Sequence, residues 1–481
     1  MAKEVTDASI FIMQYPGVYP NETVKAAMDK YYGMLEEIGS TTVSTDDLIA
    51  GKVKAPKLIG SVKVTEEMLR FNAYKYAPEY EPMMNADIAK QFGYKDIFAM
   101  ITFGACDDSN TQPTPPEARD TLLVSQIFHE IENFEPIYPG DTLYMVRDRV
   151  DVKDLTPVEG SIYRHLYQKD YGTTYNQDGK IVCKCCFSTM ESVKIYKEEF
   201  LPKPRKEMGF PDFWEAPDWT NRPALIYTDN DYENLKEIWR NESIRGAEPM
   251  YWEDINIGDK ANPSAYGPIM ESVTPLQPYG QGIAGVRCLK HDILDSEKAA
   301  KLIRDEKTGV LMSPIHEENF PETPDGLKGS PQPEGMPGGE SVEGNVIDTA
   351  DIHKAGPNRS ALINLITRDI ALGHVMNYIG YTGKIRKIKW GIMPSDTHSA
   401  MNHPVPYSGD FEVFTRRIRG MENSGITVHG LTTDVAIIKS EVTDKYVVNG
   451  RHMVDIVFWA ETYNTHEIWI TGMVEVELPT K

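Results

Sequence analysis

The chain has 481 residues, more than one ordinary hydrophobic core supports, so two enlarged units or about three smaller ones are expected. Its 41 % hydrophobic and 25 % charged residues match a folded soluble protein and exclude a disordered one. With 72 acids against 50 bases the formal charge is −22, which disfavours nucleic acid and anionic lipid surfaces as partners.

No run approaches the roughly 20 apolar residues needed to cross a bilayer, and Met1 to Asp7 places acids where a secretion signal needs apolar residues. Five cysteines, an odd number, do not read as a disulfide framework, so a reducing, cytoplasmic location without membrane contact is expected. In chain order, the first helical pattern begins around Met84 to Gln91, breaks at Gly93 and is expected to resume over Ile97 to Phe103. Tyr138-Pro-Gly-Asp141 then forms a turn that launches a strand to Val150, and Asp178-Gly179 signals a hairpin before a strand from Lys180 to Ile195. Within that strand Cys183 and Cys185 share one face and Cys186 takes the other, a pattern of buried small hydrophobes rather than of metal ligands. His129, in Phe128-His-Glu-Ile-Glu132, lacks the second histidine of a zinc helix and reads as structural.

The stretch from Phe200 to Met250 is rich in proline, tryptophan and charge and reads as a connector with one short helix near Tyr232 to Trp239. Between Phe320 and Asn345 five prolines and six glycines exclude a regular element and suggest an ordered wrap or lid. A buried helix follows, capped at Asn358 and carrying Leu362, Leu365, Ile366, Ile370, Val375, Met376 and Ile379 at mostly helical spacing until Gly380. Then Tyr407-Ser-Gly-Asp410 repeats the Gly-Asp turn before a strand, Asn449-Gly450 repeats the hairpin signal, and strands run to Leu478. A helix followed by long antiparallel strands thus occurs twice, which predicts an α+β protein built by internal duplication.

Three segments carry a resemblance to a known family. Tyr251-Trp-Glu-Asp-Ile-Asn-Ile-Gly-Asp259 resembles the opening of a MaoC-like dehydratase domain. The stretch from Thr65 to Gly104, with Pro82, Ala89 and Gly93, resembles the helical beginning of the same domain, and Pro404 to Asp410 resembles the turn after its long helix. The chain is therefore similar to the MaoC-like hotdog-fold hydratases in a tandem form. The resemblance implies two hotdog domains, each a long helix wrapped by a curved antiparallel sheet. They would span residues 1–200 and 250–481, with a connector at 201–249 and an insertion at 320–345. It also implies a lyase that hydrates enoyl thioesters or dehydrates 3-hydroxyacyl thioesters, usually of coenzyme A, with no cofactor beyond the coenzyme A of the substrate. Alternatives are a hotdog thioesterase and a catalytically silent acyl-binding protein. Hotdog domains pair, so a homo-oligomer or a pseudo-dimeric monomer fits.

The family motif places an aspartate, a proline three residues on and a histidine five residues on. In the first half Glu79 occupies the aspartate position and Met84 the histidine position, and methionine cannot donate a proton, so this half is assigned binding rather than chemistry. In the second half two segments compete. Leu311 to Glu318 keeps Pro314 and His316, with Glu318 as the carboxylate beside it; Asp348 to His353 keeps the aspartate and histidine but holds Asp351 in the proline slot. Either imidazole can move protons near neutral pH, and a neighbouring carboxylate can hold its tautomer or act as the second acid or base. The catalytic candidates are accordingly His353 with Asp348, His316 with Glu318, and Asp351. Backbone N–H groups at Gly356 and in the first turn after Pro357 are candidates for the enolate oxygen. Anionic coenzyme A needs local cations in so acidic a chain, and Arg359, Lys384, Arg386 and Lys387 are the expected ones.

Overall fold

A computed structural model describes residues 21–105, 122–155, 163–194, 225–269, 290–312, 364–391, 430–431 and 433–481. Among these, helices α1 (Asn21–Ser40) and α2 (Thr45–Ile49) precede strand β1 (Leu58–Lys63), and α3 (Glu66–Tyr76) and α4 (Ala86–Gln91) follow it. Next come β2 (Leu122–Asn133), β3 (Thr142–Leu155), β4 (Tyr163–Tyr175) and β5 (Ile181–Lys194). Helix α5 (Asp229–Arg240), strand β6 (Ser264–Tyr266), helices α6 (Lys290–Leu294) and α7 (Ser296–Ala299), and the small hairpin β7 (Ile303–Arg304) and β8 (Leu311–Met312) lead to α8 (Asn364–Ile379). Strands β9 (Lys384–Gly391), β10 (Ala436–Val448), β11 (Arg451–Thr462) and β12 (Ile468–Glu477) complete the chain.

Ten strands form one antiparallel sheet in the order β1-β3-β4-β5-β2-β9-β12-β11-β10-β6. Numbered within its own set, each group of five runs 1-3-4-5-2 from its edge to the centre, so the duplication expected from the turn signals is present in the connectivity. The two sets meet at β2 and β9, which pair antiparallel from Phe128↔Gly391 to Glu132↔Lys387. Because side chains alternate along a strand, His129↔Trp390 and Ile131↔Ile388 face inward while Glu130↔Lys389 faces outward as an opposite-charge pair. Ile131, Ile388, Val375, Ile456 and Phe458 belong to a single hydrophobic cluster, so the core crosses the seam.

Local chemistry explains several elements. The β10–β11 turn is two residues long, with Asn449 at φ 51° and Gly450 at φ 77°, the left-handed pair that matches strand twist. The β4–β5 turn is longer: Tyr175 pairs with Ile181, and Asn176 Oδ1 accepts from the backbone of Asp178 and Lys180. Thr228 and Asp231 cap α5 reciprocally, and Trp239 donates to Ala265 O at 2.8 Å, docking that helix on β6. Cys183 and Cys185 are buried on the inner side of β5 and Cys186 is half-buried.

The expected helix over Ile97 to Phe103 is absent. Helix α4 ends at Gly93 (φ 86°), and Ala99 N–H donates to Ile137 O at 3.0 Å instead of to its own chain. Every residue from Ile97 to Phe103 is buried, so no solvent-facing stripe marks a helix. Helix α8 does end at Gly380 (φ 69°), as its pattern predicts; its proposed cap at Asn358 lies outside the described residues, as do the 320–345 segment and the second Gly-Asp turn.

Helix α8 is pinned to the far set of strands by a buried histidine. His374 Nδ1 lies 2.9 Å from Ser264 Oγ on β6 and Nε2 lies 2.9 Å from Ser440 Oγ on β10. A neutral imidazole offers one donor and one acceptor and suits two hydroxyls, while burial pushes its pKa down to about 4. The unfolded chain therefore takes up this proton near pH 6.5 and the folded chain does not, so the contribution of His374 is present above pH 6.5 and is lost as pH falls towards 4, by up to about 3 kcal/mol. Urea unfolding of wild type and His374→Gln between pH 7 and 4 checks this: the wild type is expected to lose more stability on acidification than the variant, and parallel curves would remove the assignment.

Candidate functional site

Beyond the last seam pair, Glu132↔Lys387, the chains part: β2 runs into the 133–138 connection, while β9 begins at Lys384. A cavity of about 330 Å³ fills the gap. One wall is the buried segment after α4, with Tyr94 and Phe98; a second is the connection, with Phe134 and Tyr138; the floor is Met376 near the end of α8. The Ala99 to Ile137 hydrogen bond ties the first two walls together, and the Lys95 ammonium sits 4.2 Å above the Tyr138 ring.

Lys384 and Arg386 line the same cavity. Lys384 is exposed and has no ion pair among the described residues. Arg386 is held by Glu477, with Nε at 2.8 Å and Nη2 at 2.7 Å from its carboxylate. Burial raises the Tyr94 phenol, Tyr138 adds to the rise and the Arg386 guanidinium opposes it, so Tyr94 stays a neutral donor at physiological pH. Lys387 is not in the cavity lining: it pairs with Glu130 across the seam, on the far side of a strand irregularity at Arg386. Of the remaining expected site residues, His353, Asp348, Asp351, His316, Glu318, Gly356 and Arg359 lie outside the described residues. The rings of the cavity carry no periodic signal, because separate segments supply them.

Glu79, in the aspartate position of the resembled motif, belongs to a buried polar cluster behind the cavity wall. Lys290 Nζ lies 2.5 Å from Glu79 Oε1 and also bonds Glu242. His291 Nε2 lies 3.3 Å from the same Glu79 oxygen, and Asn377 Nδ2 donates to the other at 3.5 Å. Next along the chain, Tyr80 lines the cavity and stands edge-on to Tyr381, whose hydroxyl donates to Glu81 at 3.0 Å. Met84, in the histidine position, packs against the core and its carbonyl accepts from Arg70. Two carboxylates thus share one ammonium. Burial would raise Glu79, but His291 and Lys290 outweigh it and hold the group at about 2. Glu242 is pushed up to about 7 by burial, which the Lys290 charge only partly offsets.

The sign for Glu242 is opposite to that of an ordinary surface acid. Its folded pKa exceeds the unfolded value, so the unfolded state loses its proton first and stability falls as pH rises from about 4.5 through 7. Glu242→Gln removes that ionisation. Relative to wild type, the variant is expected to gain up to about 3 kcal/mol between pH 5 and pH 8 in urea unfolding; a difference that stays constant over this range would contradict the raised pKa. Lys290→Met is expected to cost about 3–5 kcal/mol at pH 7, because it leaves buried carboxylates uncompensated.

Solved structures give this arrangement its context. The chain is similar along most of its length to MaoC-like dehydratases and to a double-hotdog protein. A MaoC-like dehydratase from Phytophthora capsici is 9 % identical over 91 % of this chain and 100 % of that one, with a TM-score of 0.31. A Mycobacterium tuberculosis protein described as having a double hotdog fold is 7 % identical over 89 % of this chain and 97 % of that one, with a TM-score of 0.42. The full-length peroxisomal multifunctional enzyme type 2 from Drosophila melanogaster is 9 % identical over 94 % of this chain and 52 % of that one, with a TM-score of 0.33. No protein-family model matches the chain, and no curated protein matches it. Among the described residues no helix is long and apolar enough to cross a membrane.

Proposed function

We propose that the chain is a tandem hotdog protein that hydrates an enoyl thioester or dehydrates a 3-hydroxyacyl thioester, with coenzyme A as the thiol carrier. The observation that carries this reading is the cavity at the end of the seam, lined by the end of β2, the start of β9 and the segments beside them, with Lys384 and Arg386 in its lining. An acyl group fits the ring-lined interior, and the cations suit the phosphates of the carrier. In the dehydrating direction a base takes the α-proton, the electron pair moves into the thioester as an enolate, and its return to form the Cα=Cβ bond expels the β-hydroxyl, which takes a proton from the acid and leaves as water. His353 with Asp348, or His316 with Glu318, supplies the base and the acid, Asp351 stands beside the first pair, and the backbone at Gly356 receives the enolate oxygen. The set β1 to β5 binds, because Met84 cannot carry a proton and Glu79 is committed to Lys290.

Purified protein mixed with an enoyl-CoA panel is expected to form 3-hydroxyacyl-CoA without releasing thiol. Free thiol without hydroxyacyl product would identify a thioesterase, and neither product would leave an acyl-binding protein. Of His353→Ala and His316→Ala, one is expected to lower kcat by at least about 100-fold, the lower end for loss of general acid–base catalysis; full turnover in both removes the site assignment. Lys384→Glu is expected to raise KM for the coenzyme A ester several-fold while kcat holds, and less so at high salt.

A further inference from the structure

We propose that the acyl group taken by the cavity at the end of the seam carries an aromatic ring. This rests on the thioester reading above and names its substrate class. Six rings line the cavity: Tyr80, Phe92, Tyr94, Phe98, Phe134 and Tyr138. They come from three stretches of chain, before α4, after it and after β2, so local sequence bias does not explain their convergence.

The rings are already held in the geometries that aromatic groups prefer. Tyr94 stacks on Phe98 at 3.9 Å between centroids with 19° between planes. Tyr80 meets Phe98 edge to face at 6.5 Å and 88°. Phe92 is fixed edge-on against Tyr381 at 5.3 Å, and the Lys95 ammonium holds Tyr138 from above. The walls are therefore preorganised, and a ligand ring that enters pays little to order them. Each edge-to-face or offset-stacked contact that it completes adds roughly two- to tenfold in affinity beyond the area it buries, a gain no saturated chain can collect. Size points the same way. About 330 Å³ is at the small end of ligand cavities, which suits a compact ring on a short acyl stem better than a long chain. Phe134 is 41 % exposed at the rim, where it can close over a ring after it enters.

The test uses the full chain and two saturated, unreactive esters of similar length, 3-phenylpropanoyl-CoA and hexanoyl-CoA. Binding is measured by calorimetry with free thiol followed in parallel. The phenyl ester is expected to bind at least about tenfold more tightly. Tyr94→Leu and Phe98→Leu are expected to reduce that ratio towards one. If either fails to fold by its melting curve, Phe134→Leu at the exposed rim serves, with an expected two- to tenfold drop in the ratio. Equal or tighter binding of hexanoyl-CoA to the wild type overturns the proposal. Turnover separates it from the reading it rests on. An aryl preference in binding with no hydration of cinnamoyl-CoA or crotonyl-CoA sinks the lyase and keeps the ring pocket; hydration of crotonyl-CoA with no aryl preference sinks the ring pocket and keeps the lyase.

Discussion

The antiparallel pairing of β2 with β9 is the constraint on which the rest depends. Five ladder pairs turn two sets of strands into a single sheet, and a sheet with no gap at its centre lets one hydrophobic cluster run beneath both sets. The seam is specified by side-chain chemistry on both faces. Outward, Glu130 meets Lys387 and Lys389; inward, Ile131 meets Ile388 and the His129 ring stands edge-on to Trp390 at 4.5 Å. A slip of one residue would carry Ile388 and Trp390 to the charged face and bury the lysines, so the register is strongly fixed. Where the pairing ends the two chains diverge, and the cavity follows from that divergence. Its position is a consequence of how long the seam is.

Burying charge in so acidic a chain has produced two titrating groups that act in opposite directions over the same range of pH. His374, neutral between two serines, withholds stability as the solution is acidified, whereas Glu242, left over when Lys290 has satisfied Glu79, withholds it as the solution becomes alkaline. The His129 pKa is likewise driven far down by burial, with the Arg368 charge adding, and it reinforces the acid limb. The His374 and Glu242 effects oppose one another between about pH 4.5 and 6.5, which makes single-residue variants the informative probes. Lys290 has a further consequence: it joins α6 to the loop before α4 and to the residue group after α5, so three separate stretches are held by one ammonium.

Much of the frame was legible because it is written in short-range chemistry. Asn449-Gly450 can take φ above zero at both positions and so announces a two-residue hairpin; Gly380 announces the end of α8; the strand launched after Gly140-Asp141 follows from a turn whose Asp141 carboxylate accepts from Tyr138 N–H at 2.8 Å. What was not legible depends on partners distant in sequence. Ile97 to Phe103 reads as helix by composition, yet its Ala99 N–H is claimed by Ile137 on another segment. The Lys290 cluster joins residues 211 and 48 positions apart, with no spacing rule to reveal it. Lys384, Arg386 and Lys387 read as one basic patch, but an irregularity in β9 at Arg386 separates them, two to the cavity and one to Glu130. The histidines and acids chosen for chemistry lie outside the described residues.

The surroundings of Glu79 bear on whether it can act as a base. A carboxylate that serves as general base must have an oxygen turned to the reacting proton and a pKa close to the working pH. Glu79 has neither. One oxygen is occupied by Lys290 and faced by His291, the other accepts from Asn377, and the group is held near pKa 2, where it is a feeble base. Met84 removes the partner imidazole as well. The acid at this position has become part of the structure, fastening the 79–81 loop so that Tyr80 and Tyr381 stay in contact beside the cavity. On the proposed reading, this set of strands holds its rings in a fixed arrangement and recognises the acyl group, while the other set supplies the acid and base. A buried carboxylate tied to an ammonium on another stretch of chain does not move without breaking that pair, so the 79–81 loop beside the cavity is held in place by the same contacts that take Glu79 out of reach as a base.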